Sequence, residues 1–432
     1  PVSTSTIFDT QELGDETITT ITDRGEGVGT MTLTSTTTWV LNGMVFVNGG
    51  QTLTIEAGTV IKGQSGQGEN ASALVVARNA KIMAHGTAAN PIIMTAESDQ
   101  IRRTADNTGF ENGGNLPATA RGLWGGLMVL GNATLNSLPG TSAIEGIPTS
   151  ESRGLYGGSN DADNSGMINY VSVRHGGTDI GSGNEINGIT LGGVGSGTEV
   201  NYVEVIANND DGIECFGGTV NISHAVITNV GDDAFDYDEG YRGNVQYVLI
   251  YQPGDRGGEH DGGTSPEEGD PYAKPTFANV TSIGGGVAAG KRAITFRDNA
   301  GGFYWNSLFT QWGKGFDIED LASGEDSRNR LEVGDLKLMN NVFDQVANDM
   351  MSEIIVDQNG TDLSTNASVV GNVVTSLNMV GVLPSNSPAA EWAGFDSKSW
   401  FDAPSYKGAF NPDGSDMWMA GWTLTDEATV IQ

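Results

Sequence analysis

Asp211-Gly-Ile-Glu214 and Asp233-Ala-Phe-Asp236 share one pattern, and the second follows the first by 22 residues. The pattern is a polar residue, then Gly or Ala, then Ile or Phe, then a second polar residue. Three further copies are Asn187-Gly-Ile-Thr190, Arg292-Ala-Ile-Thr295 and Lys314-Gly-Phe-Asp317. Three of the four intervals between copies are 22 to 24 residues, and the fourth is 59. A fixed period of this length indicates an array of stacked structural units.

A second pattern repeats at a similar spacing and identifies the units as strands. Its copies are Tyr170-Val-Ser-Val, Tyr202-Val-Glu-Val, His224-Ala-Val-Ile and Tyr247-Val-Leu-Ile. Runs of β-branched and aromatic residues broken by Gly, Asn and Asp predict short strands joined by turns. A coil of about 22 residues holds roughly three strands of 3 to 5 residues with their turns. His224 takes the place of a Tyr in this pattern, so we predict that it packs against its neighbours.

We therefore predict an all-β fold, a right-handed parallel β-helix in which stacked coils pair equivalent strands about 4.8 Å apart. Leucine-rich repeats share the period but need a Leu-rich consensus that this chain lacks, and propeller units are about twice as long. Side chains alternate along a strand, so the apolar residue of each pattern should point inward and its polar neighbours outward. The predicted inward column is Ile189, Ile213, Phe235, Ile294 and Phe316.

The chain reads as one elongated domain. We predict a β-helix over residues 1–382, beginning with a Thr-rich polar cap at 1–30. The repeat then fades, and a Trp-rich segment at 383–432 is predicted to cover the open end of the solenoid. Three Gly- and Asn-rich stretches are predicted to be loops inserted between strands, where β-solenoids usually hold function: 98–120, 131–166 and 253–276.

Composition limits the classes of binding partner that we expect. The formal net charge is −33, with 54 acidic and 21 basic residues, which disfavours nucleic acid and anionic membranes and favours cations. Cys215 is the only cysteine, so no intrachain disulfide can form. No run of 18 apolar residues occurs, so we predict no membrane-spanning segment. We expect an extracellular or cell-surface protein.

The acidic residues concentrate in two successive coils. In register, Asp210 and Asp211 should lie beside Asp232 and Asp233. Stacked carboxylates repel one another unless a cation or a shared proton intervenes, and Ca²⁺ accepts six to eight oxygen ligands in loose geometry. The alternative is that these side chains only cap turns. The predicted Ca²⁺ ligands in these coils are Asp210, Asp211, Glu214, Asp232, Asp233, Asp236 and Asp238.

A separate segment, Asp161-Ala-Asp-Asn-Ser-Gly166, resembles the start of an EF-hand loop. Asp161 and Asp163 place oxygen ligands at alternate positions before a Gly, as such a loop does. Ser172 stands where that loop needs its Glu, so the match is partial. We include Asp161 and Asp163 among the candidate Ca²⁺ ligands.

Catalysis is a sharper hypothesis for the same coils. In an inverting glycosidase one carboxylic acid protonates the leaving oxygen while a second carboxylate activates water. Asp211, Asp232 and Asp233 could fill these roles, and His260 lies between two acids in a Gly-rich segment that we expect to be exposed. A lyase would instead use Ca²⁺ and an arginine base.

Other side chains around these coils are candidates for ligand binding. Aromatic rings stack on sugars and charged groups hold substrate, although a salt-bridge ladder on the outer face is the favoured explanation of the charges. Asp211, Asp233, Arg292 and Lys314 share one position of the repeat, with an irregular coil before Arg292. The candidate ligand-binding residues are Tyr237, Tyr241, Arg242, Glu259, Arg292 and Lys314.

Four segments together resemble a family of secreted bacterial β-helix proteins. They are Asp210-Asp-Gly-Ile-Glu-Cys-Phe-Gly-Gly-Thr-Val-Asn221, Gly231-Asp-Asp-Ala-Phe-Asp-Tyr-Asp-Glu-Gly-Tyr-Arg-Gly243, Leu53-Thr-Ile-Glu-Ala-Gly-Thr-Val-Ile-Lys-Gly63 and Tyr406-Lys-Gly-Ala-Phe410 with Trp418-Met-Ala-Gly-Trp422. The resemblance covers most of the chain. It implies a pectin-lyase-like fold and export to the cell surface or beyond, and it implies no catalytic residues.

We expect a non-enzymatic, Ca²⁺-supported surface, matrix or adhesive protein that binds glycans through the face formed by residues 208–261. One alternative is a polysaccharide hydrolase or lyase that uses the stacked Asp residues. A second alternative is a coat or filament subunit, because solenoid walls and strand edges self-associate. The expected partners are a polysaccharide, a cell-surface component or further copies of the chain.

Overall fold

A computed structural model describes residues 3–181, 184–395 and 399–427. It confirms the right-handed parallel β-helix, which has three parallel sheets along its length. Sheet 1 holds the strands that carry the first sequence pattern. Its strands, in stacking order, are Met44–Val47, Ala73–Val76, Leu127–Leu130, Ile189–Gly192, Ile213–Phe216, Phe235–Asp238, Glu259–Asp261, Arg292–Arg297, Lys314–Ile318 and Ile355–Asp357.

Sheets 2 and 3 are joined by five long strands that pass from one sheet to the other. Their first halves pair in sheet 2 and their second halves in sheet 3: Gly166–Arg174, Glu199–Ile206, Asn221–Thr228, Asn244–Tyr251 and Thr276–Ile283. Sheet 2 also contains Met31–Leu33, Thr52–Ile55, Lys81–His85, Gly302–Trp305, Leu336–Met339 and Val369–Val370. Sheet 3 also contains Ile7–Leu13, Glu16–Thr22, Thr37–Leu41, Val60–Gly63, Ile92–Ala96, Leu308–Trp312, Val342–Val346 and Val373–Val374.

Short elements fill the connections. Four small antiparallel pairs are Arg102–Arg103 with Phe110–Glu111, Ser142–Ala143 with Leu155–Tyr156, Asp179–Gly181 with Asn184–Glu185, and Met379–Val380 with Leu383–Pro384. The helices are Ser327–Val333, Met351–Ile354 and Leu424–Glu427, with 3-10 turns at Gly68–Asn70, Ser152–Gly154 and Val287–Ala289.

The corner between sheets 2 and 3 explains the second sequence pattern. Each long strand bends at one residue with positive φ, such as Tyr202 at 53° and His224 at 60°. Left-handed backbone is uncommon outside Gly, so the register of the stack must hold it in place. The rings of Tyr170, Tyr202, His224 and Tyr247 stack there, with the first three centroids 4.4 and 4.3 Å apart. The prediction that His224 packs is confirmed.

The interior of sheet 1 follows the predicted column. Ile189, Ile213 and Phe235 lie in register, and Ile294 pairs with Phe316 beyond them. All five side chains are buried. The coil between Phe235 and Ile294 places Gly258 in this column, because the His260 ring occupies the space that a Cβ there would need.

The stretch predicted as a loop at 253–276 contains a strand of sheet 1, Glu259–Asp261. That strand completes the stack between Phe235–Asp238 and Arg292–Arg297 and accounts for the long interval in the repeat. The loop prediction is therefore wrong for these three residues. A strand this short, flanked by Gly, has no hydrophobic alternation to identify it.

The Trp-rich segment also departs from its prediction, because its described part lies along the side of the solenoid. Trp422 contacts the ring of Tyr170 edge-on, and Trp418 contacts His224 in the same way. Asp402 exchanges two hydrogen bonds of 2.9 Å with Gln246. The segment covers the aromatic corner because those rings present apolar surface along several coils. The predicted boundary at 383 stays a prediction.

Candidate functional site

The outer face of sheet 1 carries the candidate site. Alternation turns Ile213 and Cys215 into the core, where both are buried, and leaves Glu214 on the outer face. One coil later Asp236 pairs with Glu214 in register. The repeat that builds the core therefore also stacks acidic side chains on the opposite face.

These side chains surround an open cleft of about 300 Å³, which we call the acidic cleft. The register brings together all seven acids predicted in the two coils, and residues from other segments complete the walls. The lining residues are Glu145, Asp210, Asp211, Glu214, Phe216, Asp232, Asp233, Asp236, Tyr237, Asp238, Glu259, Asp261 and Arg297.

Three carboxylates approach most closely at the centre of the acidic cleft. One carboxylate oxygen each from Asp211, Asp233 and Asp236 lies within 4.8 Å of the other two. Asp211 accepts a hydrogen bond of 2.9 Å from the amide of Asp233, and Asp236 accepts one of 2.8 Å from the amide of Glu259. Backbone amides of the next coil thus hold the carboxylates in position. Two related groups share members with this one: Asp210, Asp211 and Asp232, and Asp232, Asp233 and Asp255.

Burial and mutual repulsion raise the pKa of these acids. Burial raises the pKa of Asp211 well above its usual value, and the charge of Asp210 adds to the effect. The pKa of Asp233 is raised to about 7, chiefly by burial, although the Arg256 guanidinium opposes the rise. Burial likewise raises the pKa of Asp236 well above its usual value and that of Asp238 to about 6. Without a cation, ionisation of these acids is therefore disfavoured, and a bound cation would favour their charged form.

We expect the effect of Asp233→Asn on stability to depend on pH. The pKa of Asp233 in the folded protein lies above the 3.8 of an ordinary Asp, so its contribution to stability is lost as pH rises through about 7. Asn resembles the protonated acid and does not ionise. In a chelator, the melting temperature of the variant minus that of the wild type should therefore increase by a few degrees from pH 5 to pH 8.

Subtracting the melting temperature of the wild type removes the contribution of the buried histidines and leaves that of Asp233. Burial lowers the pKa of His224 to about 4 and that of His260 to about 3. Their contribution to stability therefore rises with pH, and it does so equally in the variant and the wild type. Asp106→Asn is the control, because hydrogen bonds from Thr108 lower the pKa of that exposed acid. A difference for Asp233→Asn that stays constant with pH would contradict the assignment.

Basic residues follow the acids along the same face. Arg256 occupies the position of Asp233 in the next coil and contacts Asp233 at 3.2 Å and Glu259 at 3.0 Å. Arg297 contacts Asp261 at 2.6 Å. The Asp233–Arg256 pair lies at the repeat position where the sequence suggested a salt-bridge ladder, and Arg297 lines the acidic cleft.

Arg292 and Lys314 extend the column beyond Arg256. They pair in register, and Arg292 is 3.8 Å from Asp317. Both line a second hollow of about 280 Å³, which we call the basic pocket, together with Glu353. At about 4.8 Å per coil, Arg292 lies roughly 10 Å along the stack from Asp233.

The rings of three predicted site residues are buried in the core, which corrects their proposed roles. His260 is 0% exposed, and its Nε2 lies 2.7 Å from the hydroxyl of Tyr304. Tyr237 and Tyr241 are 1% and 0% exposed, and their hydroxyls donate to the backbone oxygens of Gly301 and Val220. The expectation that His260 is exposed is wrong, and neither Tyr can stack on a bound sugar. Alternation places His260 and Tyr237 on the inner face.

Asp161, Asp163 and Arg242 lie outside the acidic cleft. Asp161 contacts Arg242 at 2.9 Å and accepts a 3.0 Å hydrogen bond from the amide of Thr134. Asp163 is buried and accepts a 3.1 Å hydrogen bond from Ser165. Protein donors thus occupy both carboxylates. The Arg242 guanidinium is engaged by Asp161, and its role as a ligand-binding residue stays a prediction.

Three residues of the site carried no recognisable signal in the sequence. Glu145 reaches the cleft from the inserted stretch 131–166, and Asp255 and Arg256 belong to the irregular coil. Only tertiary structure brings a long loop back over a sheet face.

Among the described residues the longest α-helix has seven residues, and none is long and apolar enough to cross a membrane.

Two solved structures are similar: tailspike protein 2 of Escherichia coli O157:H7 bacteriophage CAB120 and the Dettilon tailspike protein. Each is 12% identical to this chain, the match covers 82% of this chain, and the TM-scores are 0.24 and 0.23. The matches cover 44% and 63% of those chains, so this chain spans less than two thirds of either.

Among curated proteins, none matches this chain. The model of one family, the pectate-lyase-like β-helix domain, matches residues 25–423. This match agrees with the family resemblance seen in the sequence. The chain therefore belongs to the family of pectate-lyase-like β-helix domains.

Proposed function

We propose that the acidic cleft binds Ca²⁺ and that the outer face of sheet 1 binds a polysaccharide through it. The observation that supports the cation is the approach of Asp211, Asp233 and Asp236, whose oxygens lie within 4.8 Å of one another. Ca²⁺ takes oxygen ligands at about 2.3–2.6 Å, so one ion can contact carboxylates with this separation. The raised pKa of Asp211 and of Asp236 also supports the proposal, because burial and neighbouring acids disfavour their charged form and a cation would favour it.

Calorimetric titration of chelator-treated protein with CaCl₂ tests the cation site. We expect binding with a Kd of about 10⁻⁴–10⁻³ M, as in other extracellular Ca²⁺ modules. At about 100 times the Kd the ion should stabilise the fold by about 2.7 kcal/mol and raise the melting temperature. Asp211→Asn with Asp236→Asn should weaken binding at least tenfold, because it removes two of three central carboxylates.

The double variant Asp161→Asn with Asp163→Asn is the matched control. It removes the same formal charge from acids outside the acidic cleft, and it should bind Ca²⁺ like the wild type. Equal binding by the wild type and the cleft variant would contradict the site, as would the absence of any Ca²⁺-dependent rise in melting temperature.

The proposed ligand is a carboxylate-bearing polysaccharide. A bound Ca²⁺ would allow an anionic sugar to approach this strongly negative face. The basic pocket would hold a second anionic group, because Arg292 has one weak ion pair of 3.8 Å and Lys314 is exposed. The roughly 10 Å between Asp233 and Arg292 suits a ligand with repeated charges along a chain. This function accords with a secreted or cell-surface adhesive protein.

Affinity electrophoresis in gels containing polygalacturonate or alginate tests this ligand class. Migration should be retarded with Ca²⁺ and not with a chelator, and Arg292→Ala with Lys314→Ala should abolish most of the retardation while leaving Ca²⁺ binding intact. Retardation by neutral dextran to the same extent would contradict the proposal.

Polysaccharide cleavage is the second candidate. Asp233 favours it, because a carboxyl group with a pKa raised to about 7 can donate a proton near neutral pH. However, the 4.8 Å limit between the nearest oxygens of Asp211, Asp233 and Asp236 is shorter than the separation of about 6.5–9.5 Å between the carboxyl groups of inverting glycosidases. Binding is therefore better supported than hydrolysis by the inverting mechanism. Loss of polymer viscosity with wild type but not with Asp233→Asn would reverse this order.

A further inference from the structure

The strand Ile7–Leu13 is the most exposed regular element at the amino-terminal end of the solenoid. It pairs antiparallel with Glu16–Thr22 along one edge, and within the described residues its other edge has no paired strand. Every one of its seven residues is exposed, including Ile7 at 37%, Phe8 at 42% and Leu13 at 56%. An open edge with apolar side chains is a template for pairing with another strand.

We infer that this strand pairs with the same strand of a second copy and joins two solenoids through a continuous sheet 3. An isologous contact must be complementary to itself. In an antiparallel pair centred on Thr10, Ile7 of each copy faces Leu13 of the other. Cross-strand apolar pairs of this kind stabilise a sheet.

Charge supports this register. Asp9 faces Gln11, whose amide can donate to the carboxylate, and Glu12 faces Phe8. No two acidic residues are directly opposite, although the strand contains two and the whole chain has a net charge of −33. Like charges directly opposite would destabilise the pair.

The dimer is reversible, for two reasons. Seven residues span roughly 23 Å and bury less surface than a standard protein interface. The two copies also repel each other through their net charge, so salt strengthens the association by screening. The contact is independent of the acidic cleft, which lies on sheet 1.

Sedimentation equilibrium over a wide range of protein concentration tests the inference. The wild type should shift from monomer towards dimer as concentration rises, and more so in high salt than in low salt. Ile7→Lys with Leu13→Lys should leave a monomer, because lysines then face each other twice. Ile7→Lys with Leu13→Glu should restore the dimer, because each lysine then faces a glutamate. Stronger dimerisation of Ile7→Lys with Leu13→Glu than of the wild type would also agree with this register.

The control adds the same two charges elsewhere, with Val333→Lys and Val380→Lys at positions 66% and 72% exposed. This control should dimerise like the wild type. A wild type that stays monomeric in high salt overturns the inference, and so does a dimer unaffected by Ile7→Lys with Leu13→Lys.

Cysteine cross-linking checks the centre of the register. Facing residues of an antiparallel pair have Cα atoms about 4.5–5.5 Å apart, a distance that a disulfide can span. Thr10→Cys should therefore oxidise to a covalent dimer, and Gln11→Cys should do so much less. Cys215 is buried and does not interfere. Equal cross-linking by both variants would overturn the symmetric register.

Discussion

Phe316→Ala is expected to destabilise the solenoid by about 3–5 kcal/mol. Phe316 is 0% exposed and pairs in register with Ile294 on one side and Ile355 on the other. Its ring lies 4.7 Å from that of Phe309 and 5.4 Å from that of Phe343, measured between centroids. Removing the ring loses its burial and leaves a cavity that the stacked coils cannot close, because backbone hydrogen bonds fix their spacing.

Urea unfolding followed by circular dichroism measures this loss as a lower midpoint with an unchanged slope. Leu321→Ala is the control, because that side chain is 41% exposed and its removal should change the free energy of unfolding by less than about 0.5 kcal/mol. If Phe316→Ala lowers the free energy of unfolding no more than the control does, Phe316 is not packed in the core as the structure has it.

Glu204→Ala is expected to release the carboxyl-terminal segment from the side of the solenoid. Glu204 is 0% exposed and accepts hydrogen bonds of 2.9 Å from the amide of Leu424 and of 2.8 Å from that of Thr425. It also accepts a hydrogen bond from the hydroxyl of Ser172. Hydrogen bonds to a charged group contribute about 1.5–3 kcal/mol each, so the variant should lose about 3 kcal/mol or more.

Hydrogen exchange measures the release directly. In the variant, amides of residues 399–427 should exchange faster while those of sheet 1 stay protected. Glu199→Ala is the matched control, since Glu199 belongs to the same strand but is exposed, and it should leave exchange unchanged. Protection of 399–427 in Glu204→Ala equal to the wild type would contradict the anchoring role.

The repeat predicted the sheet that carries the site because two periods coincide. The period of the coil sets which residues stack, and the period of two within a strand sets which of them point outward. Asp211 and Asp233 could therefore be placed side by side from their spacing alone. The same reasoning placed Ile213 and Phe235 in the core, and both are buried.

The prediction failed where the coil length changes. The stretch 253–276 was interpreted as a loop, yet its strand Glu259–Asp261 supplies two acids to the cleft and one ring to the core. His260 looked exposed because charged residues flank it. Those neighbours are outward-facing, so the alternation that exposes Glu259 and Asp261 buries the histidine between them.

The sequence by itself determined the family, the β-helix and the acidic stack, because strand alternation and a constant repeat are local properties that add up over neighbouring coils. Only the tertiary structure decided that Glu145 lines the cleft, that Arg256 pairs with Asp233, and that the Trp-rich segment lies along the side. These contacts join residues far apart in the chain. Their free energy comes from burying surfaces that exist only after the solenoid has formed, so no local pattern encodes them.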